Sequence, residues 1–239
     1  MSEDEIISRE FKHGRTSYAF RWNTSHHRAL GKDKGDLAAL WSHLELVARG
    51  KIPEEPFSNP FYVRASSLRL RKMSSHARIG LRSRFLRNGI VEESIEDDLV
   101  KRVREYHRLR NDRSYSSDHS ILREFLLRDP ATIAIEVPVW SETFQMSGHI
   151  DLVRFVDGTV QVCDYKPGRL ERTKNRFLES LPQVAAYGEM MAHHLASTLR
   201  SALNAPLLPR VRCSIFDTHS SWHFGAEMFV QLRAAELIE

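Results

Sequence analysis

The spacing of apolar positions divides the chain into helical and extended stretches. Residues 17–22, Ser-Tyr-Ala-Phe-Arg-Trp, alternate loosely and predict a strand. Residues 31–35 carry glycine at both ends and read as a turn. Leu37, Leu40, Trp41, Leu44 and Val47 then recur at helical spacing, with Asp36 placed as an N-cap and Gly50 as the stop. Three prolines in residues 51–60 mark a loop or linker. Leu70, Met73, Ala77, Leu81 and Phe85 form one stripe, which predicts a helix over residues 68–86, capped by Ser66 or Ser67 and ended by Asn88-Gly89. Ile95, Leu99, Val103 and His107 follow at intervals of four and predict another helix over residues 92–113. Asp118 is placed as the cap of a short helix carrying Ile121, Leu122, Phe125 and Leu126, closed by Asp129-Pro130.

Beyond that point the period changes. Residues 136–140, 148–152 and 160–165 are short apolar segments, and Asp157-Gly158 is a hairpin signal between the second and third. A helix over residues 181–203 carries Met190, Met191, Leu195 and Leu199, with Pro182 allowed in its first turn. Residues 210–217 read as a strand, 222–225 as a short strand or turn, and 229–238 as a closing helix. The order from residue 118 is helix, three strands, helix, strand. The chain therefore divides into a largely helical, basic region, residues 1–115, and an α/β region, residues 116–239, in which a mixed sheet is flanked by helices.

Composition narrows the class. The chain has 239 residues, 41% of them hydrophobic, which suits a folded core. No apolar run approaches a membrane span, and the acidic N-terminus lacks a secretory apolar region, so a cytoplasmic protein with no membrane partner is expected. Cys163 and Cys213 sit in apolar segments and read as buried thiols. The net charge of +4 is modest, but residues 62–89 hold eight Lys or Arg and no acid. That stretch is either an ordinary solvated helix face or a surface that tracks phosphates, where counterion release rewards clustered cations. His26-His27 reads as part of a solvated loop, and His193-His194 as surface.

The candidate chemistry lies in the three apolar segments. Each delivers a carboxylate, Glu136, Asp151 and Asp164, and Lys166 follows the last by two residues. Side chains two apart on a strand share a face, so Asp164 and Lys166 project together, and the hairpin brings Asp151 near Asp164. Glu136 either joins them or points to the opposite face. Clustered carboxylates are costly without a cation, and hard oxygen donors suit Mg²⁺ or Mn²⁺. Gln183 and Tyr187 are one helical turn apart and face the same way. For an isolated Asp-x-Lys, a surface ion pair would suffice; the ordered set favours a site.

Gly148-x-x-Asp151, Asp164-Tyr165-Lys166 and Gln183-x-x-x-Tyr187, preceded by the Glu136 segment, resemble the RecB-type branch of the PD-(D/E)XK nuclease superfamily. Gly168 matches a glycine that often follows the Asp-Tyr-Lys-x motif. The resemblance implies a metal-dependent deoxyribonuclease, of exonuclease type, with a restriction-endonuclease-like core and an N-terminal helical extension. It implies Asp151 and Asp164 as metal ligands, Lys166 as the residue assisting the attacking water, and Gln183 and Tyr187 near the DNA, with Glu136 included among the catalytic acids. A metal-binding histidine is expected upstream; His76, His107 and His119 compete, and His119 is favoured by its place beside the core. Arg169 and Arg172, in the basic connection after Lys166, are expected to touch phosphates. His149, two residues from Asp151, is either a substrate contact or structural. Some relatives hold an iron–sulfur cluster on four cysteines, which two cysteines cannot supply; the cofactor expected is Mg²⁺ or Mn²⁺ alone. The partner expected is DNA, single-stranded or as duplex ends, with a homo-oligomer or larger repair complex also compatible. The competing reading is a non-catalytic nucleic-acid-binding module on the same fold.

Overall fold

A computed structural model describes residues 5–13, 16–111, 119–167, 176–203 and 210–239. Its centre is one nine-stranded mixed sheet. The strands are β1 (Ile6–His13), β2 (Thr16–Asn23), β3 (Val63–Arg64), β4 (Glu92–Ser94), β5 (Thr132–Ser141), β6 (Met146–Val156), β7 (Thr159–Tyr165), β8 (Val211–Phe216) and β9 (Ser221–Gly225). They run in the order β1-β2-β5-β6-β7-β8-β9-β4, with β3 paired to β6. The pairs β7–β8 and β3–β6 are parallel and the rest antiparallel. The three central strands are buried almost throughout, which is why they read as near-continuous apolar runs. Asp157 and Gly158 both have positive φ, 49° and 74°, and close the β6–β7 hairpin as a two-residue turn.

Helices cover both faces. On one lie α2 (Gly35–Ala48), α4 (Ser75–Arg87), α7 (Arg176–Leu203) and α8 (Met228–Ala234), which share the larger apolar cluster with Val137, Ile150, Val160 and Val162 of the sheet. On the other lie α5 (Asp98–Leu109) and α6 (Leu122–Arg128), packed on Ile135, Leu152, Cys163 and Tyr165. The remaining helices, α1 (Thr24–Leu30) and α3 (Glu55–Ser58), are short. The helix–strand–strand–strand–helix–strand order stands as α6-β5-β6-β7-α7-β8.

The first 115 residues do not form the expected helical extension. They contribute β1, β2, β3 and β4 to the same sheet that holds the central strands, and α2 and α4 to its larger layer. Several boundaries move for physical reasons. The helix placed over residues 68–86 begins only at Ser75, with Ser74 as its cap. Leu68 and Leu70 are buried while Arg69 and Arg71 are exposed, an extended alternation, and Arg69 exchanges backbone hydrogen bonds with Glu239. The helix placed over residues 92–113 spans Asp98–Leu109, because residues 92–94 pair with β9. The 51–60 linker contains α3, and α2 is capped at Lys34 rather than Asp36. Helix α7 starts at Arg176, so Pro182 lies inside it rather than in its first turn; the buried stripe of Leu178, Leu181, Val184 and Ala185 carries the helix through the lost hydrogen bond.

The histidine pairs are corrected in part, since His193 is exposed as read. His26 and His27 lie in α1 and are buried, not solvated. His26 Nδ1 bonds the Thr132 carbonyl at 2.9 Å. His27 Nε2 donates to the Leu37 carbonyl while its Nδ1 accepts from Trp22 Nε1. His194 is half-buried, 4.3 Å from the Trp140 ring and 4.6 Å from His43. Cys163 and Cys213 are buried free thiols, as the sequence implied. Among the described residues no helix is long and apolar enough to cross a membrane.

Candidate active site

The site sits where the central sheet loses a partner. Strand β6 pairs with β7 over Leu152–Val156 and with β3 at Met146 and Ser147. Between these two partners, on that flank, residues 148–151 are left open. A cleft of about 240 Å³ forms there, and Glu136, Asp151, Asp164 and Lys166 all line it, together with His119, Gln183 and Tyr187.

Each side chain arrives by a traceable route. Asp164 is near the end of β7, on the face covered by α7, since Val160 and Val162 share that face. Lys166 follows two residues later, and its backbone N–H continues the parallel pairing by donating to the Phe216 carbonyl. Asp151 lies opposite Glu136 across β5 and β6, where the alternation of both strands breaks. Ile135 and Leu152 pack in the smaller cluster, whereas Val137 and Ile150 pack in the larger. Glu136 takes the left-handed conformation (φ 53°) at this break, a placement that costs a non-glycine residue roughly 1–3 kcal/mol. The break turns both carboxylates toward the cleft and resolves the two directions that a regular strand left open for Glu136.

The motifs interlock. Gln183 Nε2 donates to Tyr187 Oη at 2.9 Å and approaches Asp164 Oδ1 at 3.4 Å. The Tyr187 ring lies on Gly148 so closely that a Cβ there would stand 2.3 Å from Cε1. Glycine in Gly-x-x-Asp is thus the space that tyrosine of Gln-x-x-x-Tyr occupies.

The electrostatics are those of a crowded acidic site. Burial and then Asp151 push Glu136 up to about 7. Burial and Asp151 also push Asp164 up, against the pull of Lys166. Asp164 is 1% exposed, and Lys166 Nζ lies 2.7 Å from its Oδ2. Lys166 is the one charge partner of that buried oxygen among the described residues. Asp151 Oδ2 accepts from the Tyr165 N–H at 3.0 Å and faces His119 Nε2 at 3.5 Å. The Asp151 hydrogen bond raises His119 to about 9, so as placed it is a charge partner for Asp151. Service as a metal ligand would require it to lose that proton.

Among the described residues no three His, Cys, Asp or Glu side chains are arranged to hold a metal ion by themselves. Mg²⁺ does not need three: one or two carboxylates with water and substrate oxygens are its usual set. Mutually repelling carboxylates, with Asp164 Oδ1 met among the described residues only by Gln183 at 3.4 Å, are a donor set that such a cation fits.

The other candidates separate. His107 is buried against the Tyr165 hydroxyl at 3.0 Å, and His76 is exposed on α4; neither lines the cleft. Arg169, Arg172 and Gly168 lie outside the described residues. His149 does line the cleft, stacked on Tyr18 with ring centroids 3.4 Å apart. Tyr18, Phe57, Arg64 and Ser66 line it as well, and sequence reasoning missed them. They come from the first third of the chain, and no motif links them to the acids. No curated protein matches the chain. The model of the PD-(D/E)XK nuclease superfamily matches residues 25–217, which takes in Glu136, Asp151, Asp164, Lys166, Gln183 and Tyr187 but not Tyr18, and the chain belongs to that superfamily.

Proposed function

We propose that this chain is a metal-dependent deoxyribonuclease of the RecB-type branch, acting as an exonuclease in DNA repair, recombination or the processing of mobile-element DNA. The observation that carries this reading is the convergence of Glu136, Asp151, Asp164 and Lys166 in one cleft beside Gln183 and Tyr187. A non-catalytic binding module would have no use for three buried or half-buried acids that repel one another.

Asp151 and Asp164 are the residues that would hold Mg²⁺ or Mn²⁺, with Glu136 completing the acidic face. The bound ion would supply charge to offset the scissile phosphate and acidity to a coordinated water. Lys166 Nζ, fixed against Asp164, orients the attacking water and stabilises charge developing on phosphorus oxygens. Gln183, held by Tyr187 and close to Asp164, positions the strand. A bond forms from water oxygen to phosphorus, the bond to O3′ breaks, and the products are a 5′-phosphate and a 3′-hydroxyl. His119 neutralises Asp151 until the substrate phosphate arrives.

A panel of linear and circular DNA, single- and double-stranded, with matching RNA, tests the substrate assignment. Degradation of linear DNA with intact circles and intact RNA is the expected result. Nicked circles would replace the exonuclease with an endonuclease, and cleaved RNA would remove the DNA restriction.

A further inference from the structure

The acidic cleft opens on one side into a groove of about 350 Å³ that shares Tyr18, His119 and Glu136 with it. Arg21 of β2 and Arg123 of α6 line this groove and also an adjoining one of about 210 Å³. Elsewhere the chain neutralises its half-buried and buried arginines: Arg82 on Glu93, Arg102 on Asp98, Arg154 on Asp129. Among the described residues no carboxylate lies within ion-pair distance of Arg21 or Arg123. Both line the same two grooves, and after burial Arg123 is the main influence lowering the pKa of Arg21, with Glu10 and Glu136 opposing more weakly. A third guanidinium stands at the edge, where Arg110 Nη1 donates to Ser120 Oγ at 2.7 Å.

Two guanidiniums that repel each other without a carboxylate between them favour an anion that accepts from both, and planar donor forks match phosphate oxygens. The neighbouring acids make the need concrete. Glu136, Asp151 and Asp164 repel a polyanionic strand, so a strand crossing the cleft needs cationic anchorage outside it. We propose that Arg21 and Arg123 bind a backbone phosphate of the nucleic-acid strand whose scissile phosphodiester lies in the acidic cleft, the strand passing Tyr18 and Glu136 between the two sites. This assignment rests on the nuclease reading.

The test is fluorescence anisotropy of a labelled, mixed-sequence single-stranded DNA with the full chain in EDTA, over a range of salt concentrations. Binding should weaken about tenfold for Arg123→Ala and further for Arg21→Ala/Arg123→Ala. The slope of log K against log salt should fall by about 0.7 for the single variant and about 1.4 for the double. Arg123 is exposed on a helix, so its variant reads out binding even if the Arg21 change disturbs β2. Lys101→Ala/Arg108→Ala on α5 serves as a control of equal charge. Unchanged affinity and slope in Arg123→Ala, or an equal loss in the control pair, would overturn the subsite while leaving cleavage by the wild-type chain intact. A wild-type chain that neither binds nor cleaves DNA would overturn the nuclease reading, and the subsite with it.

Discussion

Gly148 shows how much rests on one missing methyl group. Its Cα is the floor under Tyr187, which in turn holds Gln183 toward Asp164. Gly148→Ala places a Cβ 2.3 Å from the ring. The ring must shift, at a cost of about 1–3 kcal/mol, and the hydroxyl that fixes Gln183 shifts with it. The expected outcome is a lower urea midpoint and slower cleavage together. Tyr187→Phe keeps the ring and loses the hydroxyl that meets Gln183 and the His149 backbone, so it should slow cleavage with a smaller stability loss. Equal stability losses in both variants would contradict this account. The pairing of Asp164 with Lys166 was legible from the period of a strand. The direction of Glu136 was not, because it depends on a left-handed residue opposite Asp151, and nothing in Ile-Glu-Val marks such a break.

At the scale of elements, the layer made by α5 and α6 is fastened to the sheet by a buried polar network. Arg154, 2% exposed on β6, donates to Asp129 after α6, to Asp98 at the start of α5 and to Gln161 on β7. Gln161 continues to Ser214 on β8 and so to His223 on β9. Removing Asp129 takes the buried one of two carboxylates from Arg154 and leaves it only Asp98, whose side chain is half exposed, a loss of about 3 kcal/mol. Asp129→Ala should therefore lower stability by that amount in urea denaturation, whereas Arg82→Ala, whose pair with Glu93 is partly exposed, should cost about 1 kcal/mol or less. The network also explains where sequence reading misjudged elements. The spacing of Ile95 and Leu99 suggested a continuous helix, but residues 92–94 close the edge of the sheet on β9, and Asp97 turns back to His223 before α5 begins. Helical spacing is local information, whereas strand pairing is set by a partner more than a hundred residues away. Helix α7 and the β6–β7 hairpin were legible because their signals are local: a long apolar stripe and an Asp-Gly turn.

Over the whole molecule, the N-terminal region is part of the sheet rather than an appendage. Four of the nine strands come from it, as do Tyr18, Arg21, Phe57 and Arg64, which bound the cleft and its groove. Burying that region brings neutral histidines into the interior. Burial lowers His27 to about 4, helped by Lys32, and lowers His43, which faces His194, to about 4. A histidine whose folded pKa lies below its unfolded value of about 6.5 binds its proton more readily unfolded. Stability from this source is complete above pH 6.5 and is lost as pH falls from 6.5 toward 4. Each histidine's contribution to stability should drop by of order 1–2 kcal/mol between pH 7 and pH 5, against an opposite change from the raised carboxyls of Glu136 and Asp164. The direct check is the ring resonances by NMR: His27 or His43 titrating near 6.5 in the folded chain would contradict the buried neutral assignment. His27 reads as solvated in the sequence because adjacent polar residues resemble a loop, and only the tertiary partners Trp22 and Leu37 disclose its burial; His43, unmarked in the sequence, is held by the Pro138 carbonyl.

The central claim is that the acid–lysine cluster cleaves phosphodiesters with a divalent cation. Its most direct test is the cleavage rate of linear DNA with Mg²⁺, with Mn²⁺ and with EDTA, for the wild-type chain and for Lys166→Ala, each shown to be folded by circular dichroism. The account predicts cleavage by the wild type in either metal, none in EDTA, and a loss of at least about 10²-fold in Lys166→Ala. Cleavage that persists in EDTA, or a folded Lys166→Ala as active as the wild type, would contradict it.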